Sequence, residues 1–174
     1  EGYLLIITKK HLNSMAELNI EQLNELNVLI NMLSELAERV YGIAPVLFEH
    51  GSAPLEVNMN AQSSINHAHM HLVPFKLENS DKIIREADMK MFNGINCLNE
   101  FQGVSYVYYR TQQKKEYITV NQSLPRQYMR RKIALDSNES DKWDWRKNSF
   151  IENVKNTIIS YQEILNNKNY SNQA

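Results

Sequence analysis

The chain has 174 residues, enough for one domain of ordinary size with an appended tail. Its 19 Lys and Arg against 20 Asp and Glu leave a net charge of −1, so it carries no global basic field of the kind that holds nucleic acid, and no nucleic-acid partner is expected. A single cysteine, Cys97, excludes an internal disulfide and a Cys-rich zinc site; no apolar run is long enough to span a bilayer and no signal peptide is read, so a cytoplasmic protein without a membrane partner is expected.

The sequence opens Glu1-Gly2-Tyr3-Leu4, with no Met and directly on a strand pattern, which suggests that further residues precede Glu1 in the native protein. Residues 3–8 are short and rich in β-formers, and read as a strand buried on both faces. Leu23, Leu26, Ile30, Leu33, Leu36, Ala37 and Val40 then recur at three- and four-residue spacing. That spacing predicts a helix over 21–41, ended by Gly42 as a C-terminal cap. Residues 45–50 give a second strand, closed by Gly51, and a loop rich in Asn, Ser and Ala follows over 52–64.

The next stretch is Asn66-His67-Ala68-His69-Met70-His71-Leu72-Val73-Pro74-Phe75, which holds three of the five histidines at alternate positions. Successive side chains of a strand point to opposite faces. His67, His69 and His71 therefore share one face, with Ala68, Met70 and Leu72 on the other. Such a row of imidazoles is no core packing, while its apolar reverse side anchors it.

Short helices are predicted over 81–88 and 88–92, and a strand over 104–110 opened by Gly103. A turn at 112–115 brings back a second strand, 116–120, as a hairpin partner. Pro125 suits the first turn of a helix carrying Tyr128, Met129, Ile133 and Leu135. Trp143 and Trp145 mark an ordered segment, and a last helix over 150–165 turns Ile151, Val154, Ile158, Ile159 and Tyr161 inward. The Asn-rich tail 166–174 is expected to fray. Mixed elements with closely spaced strand pairs, and no internal repeat, define an α+β class.

Two chemistries suit the histidine row. Imidazole is a common metal ligand, but same-face residues of a strand lie about 6.6 Å apart and the outer pair about 13 Å. Zinc–nitrogen bonds are only about 2.0–2.1 Å, and no histidine follows His71 to complete a site. No metal ligand is assigned on that geometry. A nucleophile fits better: His69 has one nitrogen free to attack if a backbone carbonyl or a neighbour holds the other. His67 and His71 can then orient it, donate to substrate oxygens or pass a proton to a leaving group.

His67-Ala68-His69-Met70-His71-Leu72-Val73 resembles the signature of the histidine triad (HIT) family, His-φ-His-φ-His-φ-φ. Upstream, Gly2-Tyr3-Leu4-Leu5-Ile6-Ile7-Thr8-Lys9-Lys10-His11 resembles the family's strand ending in Pro-Lys-x-His, with Thr8 in place of proline. Ser63-Ser64 lie where the family has Gln-Ser or Gln-Thr. Phe48-Glu49-His50-Gly51, the stretch Gln127-Tyr128-Met129-Arg130-Arg131-Lys132-Ile133-Ala134 and Trp143-Asp144-Trp145-Arg146 resemble a bacterial and phage branch with a C-terminal extension.

The resemblance implies a HIT-like fold, an antiparallel sheet with a long helix packed on it, often in a homodimer. It places a HIT domain lacking its N-terminal part at 1–110, and a hairpin strand with a helical extension at 111–174 on the same domain. It implies hydrolysis or transfer at the α-phosphate of a nucleotide or nucleotide conjugate. His69 would be the nucleophile, His67 would hold it or relay to it, and His71 would donate to phosphate oxygens. Ser64 would donate to the phosphate or leaving group, and His11 would support the triad. No cofactor is obligatory, although a divalent metal can accompany the substrate.

Other residues are weighed against plainer roles. Glu49 is a candidate ribose or phosphate neighbour, whereas His50 reads as structural. Arg126 and Arg130 share a helix face by their spacing and could close over a phosphate, against the plainer reading of a solvated basic face. Tyr106, Tyr108 and Tyr109 read as sheet packing, Trp143 and Trp145 as cover for the core edge, and Cys97 as an inert thiol. Two other functions stay open: a nucleotide-binding module without catalysis, to which Thr8 and Ser63 lend support, and a histidine-metal enzyme.

Overall fold

The computed structural model describes residues 1–54 and 67–171, with side chains to residue 166. Asn66, Ser63, Ser64, most of the loop read at 52–64 and the last residues of the tail lie outside the described residues.

Among the described residues, six strands form one sheet: β1 (Leu4–Ile7), β2 (Val46–Gly51), β3 (His69–Val73), β4 (Lys90–Met91), β5 (Tyr106–Arg110) and β6 (Glu116–Thr119). Their spatial order is β1-β3-β2-β5-β6-β4, and all neighbours pair antiparallel. With the four α-helices of the described residues added, the class is α+β, as the sequence suggests. The hairpin of β5 and β6 is present, with Val107 opposite Thr119 and Arg110 opposite Glu116.

Helix α1 (Ile20–Tyr41) starts at a capping box, in which the Asn19 side chain accepts from the Gln22 amide and the Gln22 side chain accepts from the Asn19 amide. It stops where Gly42 turns left-handed at φ 68°, a conformation glycine adopts without a Cβ clash. Its apolar stripe, Leu23, Leu26, Ile30 and Ala37, clusters with Ile6, Leu47, Met70, Leu72, Tyr106 and Tyr108 from one face of the sheet. Fully burying each such aliphatic side chain is worth about 1.5–3 kcal/mol. The opposite face supplies Val46, Phe48, Val73, Val107 and Tyr109 to a second core. Helices α2 (Ser80–Glu86) and α3 (Tyr128–Asp136) close it through Ile83, Tyr128 and Met129. The sheet is thus sandwiched between α1 and the α2–α3 pair, and the histidines lie on the α2–α3 side.

Several expectations are corrected. The first strand is not buried on both faces: β1 is the outer strand, paired only with β3, and Leu5 and Ile7 are 51% and 64% exposed. α1 covers the Ile6 side, while Leu5 borders a cavity on the other side. Residues 88–92 are no helix; Asp88 takes φ 50° beyond α2, and Lys90–Met91 pairs with β6 as a short edge strand. Pro125 does not open its helix, because Gln127 at φ 57° precedes the first turn at Tyr128. Arg126 therefore lies outside α3 and shares no helix face with Arg130. Leu135 of α3 is exposed.

Helix α4 (Ile151–Ser171) is longer than expected, and runs through much of the tail read as frayed. Its inward residues are Thr157 and Tyr161, while Ile151, Val154, Ile158 and Ile159 are all more than half exposed. The reason is what it docks against. Thr157 Oγ1 accepts from the Gly2 amide at 2.8 Å, and the Tyr161 hydroxyl donates to the Gly2 carbonyl at 3.1 Å. The Tyr161 ring also meets Tyr41 edge to face, with centroids 5.7 Å apart. A polar and aromatic seam at 157 and 161 has replaced the aliphatic one. Among the described residues, no helix is long and apolar enough to cross a membrane.

Candidate functional site

The strand register assembles the site. In β3, Met70 and Leu72 join the α1-side core, so His69 and His71 face the other way with Val73. Directly opposite neighbours in an antiparallel pair share a face. Leu5 and Phe48 flank His71, and Ile7 sits opposite His69. The alternation read from the sequence is therefore the alternation found.

His69 has its Nδ1 2.7 Å from the carbonyl oxygen of His67. A carbonyl can only accept, so Nδ1 carries the proton and Nε2 keeps its lone pair. Nε2 meets no hydrogen-bond partner among the described residues, and the ring borders a cavity of about 900 Å³. Burial pushes the His69 pKa below 6.5, helped by the charges of His67 and Arg130 and opposed by the bond to His67. The neutral imidazole is thus the resting form near neutral pH, and the neutral form is the one able to attack an electrophile.

His71 stacks on Phe48, with centroids 4.3 Å apart and rings 17° from parallel, and its Nδ1 lies 2.7 Å from the Tyr3 hydroxyl. Burial, then His69, His50 and Arg130, hold its pKa well below 6.5. The Tyr3 hydroxyl is pushed up to about 12 by burial, against the pull of Arg130, and so keeps its proton. His67 lies just before β3. Its Nε2 points at the Thr8 carbonyl at 2.7 Å and the Thr8 hydroxyl at 3.1 Å, while that hydroxyl donates to the Lys10 carbonyl. His11 meets the His67 ring edge to face at 5.3 Å. His11 thus meets the His67 ring, the His67 backbone carbonyl holds His69, and the His69 ring meets His71 edge to face.

Arg130, from α3, also borders the cavity. Its Nε donates to the Trp143 carbonyl at 3.1 Å and its Nη1 to the Tyr3 hydroxyl at 3.3 Å. Its charge lowers the pKa of His50, His69 and His71 alike. The expectation of a solvated basic face therefore fails for Arg130, which is half-buried, and survives for the exposed Arg126. The segment between α3 and α4 places Trp143 and Trp145 on the cavity wall rather than over a core edge. Arg131 lies over the Trp143 ring, 3.5 Å from its centroid.

Two residues stand where the sequence reading did not put them. Glu49 is on the α1 side of the sheet, away from the cavity. There it accepts from the Met15 amide at 2.7 Å and from the Tyr106 hydroxyl at 2.6 Å, and burial raises its pKa to about 7. It fixes a 3-10 turn (Met15–Glu17) in the connector after His11, which makes it a core anchor instead of a ribose or phosphate neighbour. His50, read as structural, borders the cavity with His69 and His71. Its Nε2 accepts from the Met129 amide at 3.3 Å, and burial first, with His69 and Arg130, lowers its pKa to about 3. The signal was the parity of β2, since His50 shares the face of Phe48, and Phe48 is the residue opposite His71. Tyr3 carried no such signal, because its partners come from β3 and α3. Ser64 lies outside the described residues.

Fold and site together define an α+β protein whose antiparallel sheet presents the neutral imidazoles of His50, His69 and His71, beside the Arg130 guanidinium, to a cavity. No family model matches the chain, and no curated protein matches it.

Proposed function

We propose that the chain is a histidine-triad-type nucleotide phosphohydrolase or nucleotidyl transferase, with His69 as nucleophile. The observation that carries this reading is the His69 ring, which borders the cavity with Nδ1 committed to the His67 carbonyl and Nε2 without a hydrogen-bond partner among the described residues. The long α1 packed on an antiparallel sheet, with the imidazoles on the reverse face, supports a HIT-like fold. In the reaction, the Nε2 lone pair forms a bond to the α-phosphorus. The bond from phosphorus to the leaving group breaks, and its electron pair departs with that group. Water, or a second acceptor, then displaces phosphorus from Nε2 and restores the neutral ring. His71 and Arg130 donate to the phosphate oxygens, whose negative charge the neutral imidazoles of His50, His69 and His71 do not repel. His67 orients His69 through its carbonyl, and His11 props His67. Ser64 stays the proposed donor to the phosphate or leaving group. A homodimer and a cytoplasmic location belong to the same reading, as does a divalent metal travelling with a polyphosphate substrate.

The test is a panel of nucleoside phosphoramidates, dinucleoside polyphosphates, nucleotide sugars and adenylylated conjugates. Wild type turns over at least one of them, and a nucleotidyl adduct is trapped on His69. His69→Asn keeps the fold and loses turnover by about 10³-fold or more. Full activity in His69→Asn removes the proposal. Binding without turnover across the panel favours a nucleotide-binding module, for which Thr8 is the supporting observation: it stands in place of proline and ties down His67 Nε2.

A further inference from the structure

The Tyr3 hydroxyl joins two parts of the molecule that the sequence keeps 127 residues apart. On one side is Arg130, whose guanidinium can only donate; Nη1 donates to the Tyr3 oxygen at 3.3 Å. On the other is His71 Nδ1, at 2.7 Å. A neutral imidazole carries its proton on Nδ1 or on Nε2, and the hydrogen bond made by one nitrogen decides which. If His71 Nδ1 held the proton, the Tyr3 oxygen would accept twice and its own hydrogen would have no acceptor among the described residues. Leaving a donor unpaired in this setting is costly. With the proton on Nε2, every group is matched: Arg130 donates to Tyr3, Tyr3 donates to Nδ1, and His71, whose ring borders the cavity, keeps an N–H on Nε2.

We propose that Tyr3 is a positioning residue that holds His71 as the Nε2–H tautomer, so that His71 meets a substrate phosphate oxygen with a donor rather than a lone pair. The inference rests on the reading of the cavity as a phosphate site. It also gives the C-terminal extension a task. Arg130 is set by the Trp143 carbonyl, so the α3–Trp143 segment fixes, through Tyr3, which nitrogen of a β3 histidine carries hydrogen. His69 is set the opposite way by the His67 carbonyl, with hydrogen on Nδ1. The two neighbouring rings, 4.8 Å apart, are thereby held in complementary tautomers, one presenting a lone pair and the other a donor.

Tyr3→Phe keeps the ring under Arg130 and removes only the hydroxyl. Long-range 15N–1H correlation spectra of the imidazoles, with His71 assigned by its loss in His71→Asn, report each tautomer directly. The expected result is Nε2–H for His71 in the wild type and a mixture of tautomers in Tyr3→Phe, while His69 stays Nδ1–H in both. On the best substrate of the panel, Tyr3→Phe lowers kcat about tenfold to a hundredfold, the range for a hydrogen bond to a charged group, and moves KM less than about threefold. A His71 proton on Nδ1 in the wild type, or the same His71 spectrum and kcat in Tyr3→Phe, overturns the proposal. If nothing in the panel is turned over, the catalytic reading fails and the spectra still decide the role of Tyr3.

Discussion

The Nδ1 atom of His69 donates to the backbone carbonyl of His67 across 2.7 Å. That bond fixes the ring and leaves Nε2 as the atom proposed to attack, and the pH dependence follows from it. Burial lowers the His69 pKa below 6.5, so protonation removes the lone pair only at pH values below the usual imidazole range. The acid limb of kcat/KM, which reports the free protein, is therefore expected to have its midpoint below pH 6.5. A substrate whose α-phosphate keeps one fixed charge over this range gives the cleanest profile. A midpoint at or above 6.5 contradicts the assignment.

Both tryptophans of the chain, Trp143 and Trp145, line the cavity, so intrinsic fluorescence reports its occupancy. Titration with a nucleoside monophosphate is expected to shift or quench the emission. Arg130→Ala removes the cation beside the imidazoles, and is expected to weaken that binding about tenfold or more, the scale of one hydrogen bond to a charged group. Raising the salt concentration should narrow the gap between wild type and variant, because screening weakens the lost interaction. Equal affinities in the two proteins would show that Arg130 does not meet the phosphate.

How far the sequence reaches is seen by comparing His71 with Tyr3. His71 is legible because a strand has a period of two: Ala68, Met70 and Leu72 are apolar, and the histidines take the other face. The helix over α1 is legible for the same kind of reason, a three- and four-residue apolar spacing with Gly42 at its end. Tyr3 is not legible, because its partners are set by how β1, β3 and α3 meet in space, and no local pattern records that. α4 misled for a further reason. Its apolar residues promise a buried stripe, yet Thr157 and Tyr161 dock on Gly2 through hydrogen bonds, and Val154 and Ile158 border the cavity instead. Glu49 misled because position beside a motif does not fix the face of the sheet; its parity in β2 sends it to the α1 side.

Gly51 ends β2 against the ring of Tyr106, its pairing neighbour on β5. A Cβ built on Gly51 would lie 2.4 Å from two atoms of that ring. Tyr106 cannot yield easily, since it is fully buried and its hydroxyl is bound to Glu49. Gly51→Ala is therefore expected to destabilise the fold by about 1–3 kcal/mol, the usual scale of overpacking. Urea unfolding would register this as a lower midpoint with an unchanged slope. An unchanged midpoint would mean that the Tyr106 ring has room to move.

Glu49 should make stability depend on pH in a direction unusual for a carboxylate. Burial raises its pKa from 4.5 to about 7 in the folded chain. Between those values the folded chain holds a proton that the unfolded chain has released. The contribution of Glu49 is therefore complete below about pH 4.5 and is lost as pH rises through about 7. His50 works oppositely. Its folded pKa of about 3 against 6.5 makes its contribution complete above 6.5 and lost as pH falls, so the wild-type profile alone mixes the two. The difference between wild type and Glu49→Gln isolates the carboxyl, because the amide does not titrate. Relative to wild type, Glu49→Gln is expected to gain up to about 3 kcal/mol between pH 4.5 and pH 8, with most of the change between 4.5 and 7. Urea unfolding of both proteins at several pH values measures it. A difference that stays constant with pH, or that grows towards acid, would show that Glu49 is charged in the core and held so by Tyr106 and Met15.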